Sequence, residues 1–229
     1  MPLLAGKLPI PIPAPVRSGA PNGSYPWHWS IVPWIEGTPA DETAVTTKHA
    51  HELAHFLQAL HTPAPAEAPA NPVRGVPLSR RAESVDARIH RHLPENTLYG
   101  RSIRHAWKEA LEAPIDLPNT WIHGDLHPRN ILVEGDRIAG VIDWGDLASG
   151  DAATDIAGIW MMFPERPARE AAISAYATPD RPLSTATRKR AKGWAILFGL
   201  MLLDTGQLDN PRNAALGRRI LDTVIADEA

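Results

Sequence analysis

The sequence predicts an α/β chain of the α+β kind, an α-rich body with a small, sparse β element at its front. Beyond about residue 40, most segments space their apolar residues at helical intervals. The clearest hairpin is short: Ile131–Val133, a Glu134-Gly135-Asp136 turn, then 138–142 as its partner. The first 30 residues are broken by proline, which cannot donate to a sheet ladder and so limits what strand can form there. No internal repeat is present.

Bulk properties narrow the function classes. With 229 residues the chain suits one medium domain or two small ones, with ample capacity for a core. A formal charge of −3 gives no general pull toward nucleic acid or anionic membranes, so neither is expected as a partner. The absence of cysteine excludes disulfide and thiolate chemistry and suits a cytoplasmic enzyme. Prolines interrupt the N-terminal apolar residues, so no signal peptide is expected, and the run Trp194–Leu203 is too short for a membrane span.

In order, Leu8-Pro9-Ile10-Pro11-Ile12-Pro13 alternates apolar residue and proline and reads as an edge strand or polyproline-like stretch. Gly19 to Gly23 is turn chemistry, Trp27–Ile35 a strand, and Glu36-Gly37-Thr38-Pro39 its end. A helix is expected over 41–61, capped by Asp41 or Thr43, with Ala50, Leu53, Ala54, Leu57 and Leu60 on one face. Residues 63–77 form a Pro/Ala loop. Helices follow at about 79–92 and 98–113, then, after the hairpin, at 153–162, 166–177, 185–205 and 211–227.

The first long helix carries His51-Glu52-Leu53-Ala54-His55, a literal H-E-x-x-H, with His61 where a third zinc ligand would fall. A zinc metalloprotease is the rival reading it offers. That reading needs a glycine three residues after the second histidine, so that the chain can leave the helix; Gln58, a good helix former, stands there. In a continuous helix His61 lies ~15 Å along the axis from His51, out of reach of the same metal.

Chemistry concentrates in Trp121–Val133, WIHGDLHPRNILV, followed by Val141-Ile142-Asp143-Trp144-Gly145-Asp146. Asp125 and Asn130 have the D-x-x-x-x-N spacing of a kinase catalytic loop, and Asp143 reads as the metal-binding aspartate of a D-F-G-like turn. Phosphoryl transfer needs a group that aligns the acceptor hydroxyl and oxygens that hold Mg²⁺ against the phosphates. Asp125 supplies the first, Asn130 and Asp143 the second, and His123 braces the loop through hydrogen bonds.

With GDAATDIAGIW after them, these pieces make the chain resemble the aminoglycoside phosphotransferase-like enzymes, which share the protein-kinase-like fold. The resemblance implies Asp125 as catalytic base, Asn130 and Asp143 as metal ligands, and Asp155 as structural support of the catalytic loop. YPWHWSIVPWIEG is similar to the last strand of the family's small lobe and its hinge, where the Pro33 carbonyl and Ile35 amide would meet adenine. Residues 1–37 then correspond to an incomplete small lobe and hinge, and 38–229 to the α-rich large lobe carrying the catalytic-loop hairpin. ATP or GTP and Mg²⁺ are the implied cofactors. The implied acceptor is a small hydroxylated molecule, an aminoglycoside or another antibiotic or metabolite.

Ala153 stands where the family commonly has proline. Within these residues there is also no G-x-G-x-x-G, and the only lysine before the hinge is Lys7, so the parts that clamp phosphates are missing. Weak transfer by these residues alone is the expectation, with a non-catalytic binding protein on the same fold as the alternative. Self-association through Ile10, Ile12, Val32 and Trp34 is expected where the small sheet lies uncovered. Asp151, Glu165, Asp180, Asp204 and Asp209 are the acidic candidates for a cationic acceptor, each also readable as an ordinary solvated charge.

Overall fold

The computed structural model describes residues 4–179, 182–208 and 210–227. At the front, β1 (Arg17–Gly19) and β2 (Trp29–Ile31) form an antiparallel pair, Arg17 opposite Ile31 and Gly19 opposite Trp29. The strand expected over 27–35 shrinks to its middle because Pro33 cannot donate; 32–37 run on without regular structure. β3 (Thr38–Pro39) then joins β5 (Ile131–Glu134), which pairs with β6 (Arg137–Val141) as the predicted hairpin. A third small sheet joins β4 (Thr120–Ile122) to β7 (Ala148–Gly150), a strand the sequence reading does not contain.

The proline-rich start is no strand, yet it is anchored. Val141 N–H donates to the Pro11 carbonyl at 3.0 Å, and Leu4 and Ile10 belong to the main core. The expectation that Ile10 lies uncovered is therefore corrected: it is 5% exposed, because the alternating prolines hold an extended chain that turns it onto the large lobe. Ile12 is half-buried, whereas Val32 and Trp34 are exposed, Trp34 by 85%.

Helix α1 (Thr47–Leu60) starts later than its apolar spacing suggests. Thr46 and His49 form a reciprocal capping box, while Asp41 is drawn off by a two-pronged pair with Arg212, both contacts at 2.6 Å. Its expected face is buried, and Leu53, Leu57 and Leu60 at 0% exposure each contribute about 1.5–3 kcal/mol. It packs on α6 (Arg166–Tyr176), and the Gln58 amide caps the α6 C-terminus through the carbonyls of Ala175 (2.8 Å) and Tyr176 (3.1 Å).

Helices α2 (Ala82–His92), α3 (Leu98–Glu112), α4 (Ala153–Ile156) and α5 (Gly158–Met162) surround α7 (Thr185–Leu208), which α8 (Pro211–Ile225) crosses. The helix expected over 153–162 is thus two short ones that meet at Ala157. The middle of α7, over 193–200, is buried on every face, and Ala191, Trp194, Ala195, Ile196, Leu197 and Leu200 are all within 1% exposure. Its crossing with α8 is backbone-close, since a Cβ on Gly217 would sit 2.5 Å from the Gly199 carbonyl oxygen. Among the described residues no helix is long and apolar enough to cross a membrane.

Candidate active site

The catalytic loop leaves β4, which is paired with β7, and runs into β5 of the three-stranded sheet, so both its ends are pinned. Beneath it lies Asp155, at 0% exposure, whose carboxylate accepts from the His123 amide at 2.7 Å and the Gly124 amide at 2.9 Å. His61 faces the same carboxylate through Nε2 at 3.4 Å, and its Nδ1 lies 2.8 Å from the Tyr176 hydroxyl. The loop's backbone therefore rests on a buried anion supported from α1 and α6.

His123 is bonded at both ring nitrogens. Nδ1 accepts from the Asp125 amide at 3.2 Å, which leaves the proton on Nε2 to donate to the Ile142 carbonyl at 2.9 Å. The ring meets Trp144 edge-on with centroids 4.7 Å apart. A histidine so engaged braces the loop and ties it to the 142–146 turn.

Asp125 is half-exposed, with Oδ2 3.4 Å from Asn130 Nδ2 and 3.6 Å from His127 Nε2. Asn130 Nδ2 also donates to the Asp125 carbonyl at 2.9 Å, and that use of its nitrogen leaves its oxygen for a cation. The Asn130 carbonyl in turn accepts from the Ile142 amide at 2.9 Å, bringing the second turn alongside. Burial pushes His127 below its ordinary value against the upward pull of Asp125.

Asp143 follows directly, exposed, with φ +61° and ψ 66°; among the described residues it alone has positive φ without being glycine. Such a backbone costs on the order of 1 kcal/mol or more and persists where the surroundings impose it. Its carboxylate makes no capping hydrogen bond. Asn130 and Asp143 thus fit Mg²⁺, which takes one or two protein oxygens and fills its remaining positions with phosphate and water. Among the described residues no three His, Asp or Glu side chains are gathered as a metal cage.

At the proposed hinge, Pro33 is exposed and Ile35 half-buried, and neither the Pro33 carbonyl nor the Ile35 amide is taken up by a backbone bond among the described residues. A Cβ on Gly140 would lie 2.6 Å from Ile35 Cγ2, so the glycine in β6 lets the hinge approach closely.

The H-E-x-x-H residues have other employment. Glu52 accepts from the Ile138 amide at 2.6 Å and so braces β6. His51 and His55 are exposed, while His61 is buried on Asp155, not turned toward them. Of the acidic candidates, Asp151 is buried against Arg190 (2.7 and 3.2 Å). Asp204 is held by Arg88, Arg91 and His92 at 2.6–2.9 Å. Glu165 is exposed at the α6 N-cap, and Asp180 and Asp209 lie outside the described residues.

Sequence reasoning missed Arg74. It donates through Nη2 to Asp125 Oδ1 at 2.8 Å and through Nε to Asp146 Oδ2 at 3.1 Å. The available signal was that it is the one basic residue in the loop 63–77.

A family model described as the phosphotransferase enzyme family matches residues 1–194. The chain belongs to this family. Similar proteins include a homoserine kinase of Methylobacterium nodulans, 28% identical over 251 positions that cover 96% of this chain and 75% of that protein. A viomycin phosphotransferase of Streptomyces vinaceus is 26% identical over 162 positions, 67% of this chain and 56% of its own length. Among solved structures, the GDP complex of aminoglycoside 2'-phosphotransferase-IIIa aligns with 100% of this chain and 80% of its own, with TM-score 0.62 and 19% identity. The GDP and kanamycin complex of APH(2")-IIia aligns with 100% of this chain and 80% of its own, with TM-score 0.67 and 16% identity. The fold is the kinase-like fold of these enzymes, and family and relatives alike make the chain a small-molecule phosphotransferase by descent.

Proposed function

We propose that the chain binds ATP or GTP between the 33–35 hinge and the catalytic loop and transfers its terminal phosphoryl group to a hydroxyl of a small molecule. The observation that carries this is the stitching of two turns: Asn130 reaches the Asp125 side chain at 3.4 Å while its own carbonyl accepts from Ile142, next to Asp143. Asp125 aligns the acceptor hydroxyl and takes its proton as the new O–P bond forms and the bond to the leaving nucleoside diphosphate breaks. Asn130 and Asp143 would hold Mg²⁺, which when bound supplies charge neutralisation at the phosphates. His123 and Asp155 keep the loop in register, and the Pro33 carbonyl and Ile35 amide offer an acceptor and a donor to the base edge. On this reading 1–37 is the small-lobe and hinge portion and 38–229 the catalytic lobe.

Solved relatives in complex with GDP and kanamycin, or with ADP and hygromycin B, support a nucleotide donor and a hydroxylated acceptor. For the acceptor, charge favours a molecule that is not polycationic. Asp151 and Asp204 are neutralised by arginines, and Arg74 stands beside Asp125 itself.

The test is transfer of label from γ-³²P-ATP or γ-³²P-GTP, with Mg²⁺, to homoserine, viomycin and kanamycin. Residues 1–229 are assayed beside a version carrying the reading frame upstream of Met1. Asp125→Asn should lower kcat by about 10²–10⁴-fold with little change in nucleotide affinity. The 229 residues alone, which carry no Gly-rich loop, should turn over more slowly than ~1 s⁻¹. Equal turnover by Asp125→Asn and wild type would defeat the assignment, and nucleotide binding without transfer to any acceptor would make this a binding protein.

A further inference from the structure

We propose that Arg74, from the Pro/Ala loop between α1 and α2, is the positioning residue of Asp125, and that it sets the register between Asp125 and the turn carrying Asp143. The proposal rests on the function proposed above.

The loop is built to aim this one side chain. The Asn71 side-chain oxygen accepts from the amides of Val73 (2.9 Å) and Arg74 (3.0 Å), closing a tight turn. Gly75 then takes φ +66° and lies so close to β4 and β7 that a Cβ would meet Ile122 Cδ1 at 2.5 Å and Gly150 Cα at 2.8 Å. Its carbonyl accepts from the Asp151 amide at 2.9 Å. A turn fixed on both sides of Arg74 sets the direction in which its Cα–Cβ bond leaves the backbone.

That direction ends between two carboxylates. Arg74 is only 8% exposed, with its guanidinium carbon 4.7 Å from the centre of the Phe198 ring in α7. Nη2 holds Asp125 Oδ1 at 2.8 Å and Nε holds Asp146 Oδ2 at 3.1 Å. Asp146 Oδ1 accepts from Asn71 Nδ2 at 2.9 Å, so one loop grips both aspartates. The approach depends on Gly124, at φ +86°, where a Cβ would lie 2.7 Å from the Asp146 carbonyl oxygen.

Two consequences follow for the reaction. Oδ1 of Asp125 is occupied, so Oδ2, facing Asn130 and His127, is the oxygen left for an acceptor hydroxyl. Asp146 lies three residues beyond Asp143, so the same guanidinium fixes the second turn relative to the first. Lysine could not do this, because a single ammonium lacks the planar fork that reaches two carboxylates in fixed directions.

The experiment compares Arg74→Met, Arg74→Lys and Asn71→Ala with wild type and with Asp125→Asn in the radiometric assay. The longest available chain is used, with nucleotide affinity measured separately. Arg74→Met should lower kcat on the order of 100-fold, as a small misplacement at the reacting group does, while leaving nucleotide affinity within about threefold. Arg74→Lys and Asn71→Ala should lose less, on the order of 10-fold. The discriminating readout is Arg74→Met combined with Asp125→Asn. If Arg74 acts mainly through Asp125, the double variant is slower than Asp125→Asn by far less than the loss in Arg74→Met alone, whereas general structural damage would multiply in full. Additive losses, or unchanged kcat in Arg74→Met, would overturn the proposal while leaving the phosphotransferase reading intact. Should Arg74→Met not fold, Arg74→Lys and Asn71→Ala carry the same cycle with Asp125→Asn. A wild-type chain with no transfer to any acceptor removes the function and this proposal with it.

Discussion

Removing the Asp155 carboxylate should cost more stability than any single surface change, and the structure says how much. Asp155→Ala strips the acceptors from the His123 and Gly124 amides, now bonded at 2.7 and 2.9 Å, in a place with no solvent to replace them. Each hydrogen bond to a charged group is worth about 1.5–3 kcal/mol, and each buried amide left unpaired costs about 1–3 kcal/mol. Relief of the desolvation of a buried carboxylate offsets part of this, so a net loss of about 4 kcal/mol is expected. That is a large share of the ~5–15 kcal/mol typical of a domain. Asp155→Asn keeps one acceptor oxygen but turns a donor toward the other amide, and should lose about 3 kcal/mol. Urea unfolding followed by far-UV circular dichroism measures both, provided the denaturant slope stays constant across the series. A loss below ~1 kcal/mol in Asp155→Ala would mean that the loop does not depend on this anion.

Two further expectations concern other parts of the chain. Protein purified without a histidine tag should hold no stoichiometric zinc, and Glu52→Ala should instead lower stability by about 1–3 kcal/mol, because it leaves the Ile138 amide unpaired; one zinc per chain lost in His51→Ala would reverse that view. Burial pushes Asp227 up, but the hydrogen bonds from Arg169 and Trp160 outweigh it and hold its pKa below the ordinary value. Its stabilisation should be complete above about pH 4 and lost as pH falls below that, so urea titrations at pH 7 and pH 3 should differ less in Asp227→Asn than in wild type.

What was legible in the sequence was whatever depends on local spacing. Asp125 and Asn130 share one loop, and the short β5–β6 return carries the Ile142 amide back to the Asn130 carbonyl at 2.9 Å, one residue before Asp143. The α1 face follows from helical periodicity for the same reason. The Arg74–Asp125 contact joins residues 51 apart, and nothing near Arg74 separates it from a solvated arginine in a proline-rich loop. β7 was invisible because Ala148-Ser149-Gly150 has no strand propensity; it is a strand because β4 needs a partner. The pattern local to His61 is the zinc-like spacing after His51 and His55, while its actual partners, Asp155 and Tyr176, arrive from residues 94 and 115 positions later. Ile10 misled in the opposite direction. Proline alternation excludes a ladder, but an extended chain can still bury every second side chain.

These contacts also explain why the loop needs His-Gly-Asp in that order. Asp155 pulls the amides of His123 and Gly124 inward, which would leave the following residue free to turn either way. The His123 ring removes that freedom by accepting from the Asp125 amide and donating to Ile142, so the backbone of residue 125 is fixed from the inside. Gly124 supplies the positive φ that reverses the chain between the two, with no side chain to keep Asp146 away. Only the Asp125 carboxylate is then directed outward, and Arg74 meets it there from a different loop. An anion below and a cation beside the same short segment hold its backbone and its side chain separately. A substitution at Asp155 should therefore appear first as lost stability, and one at Arg74 first as lost turnover.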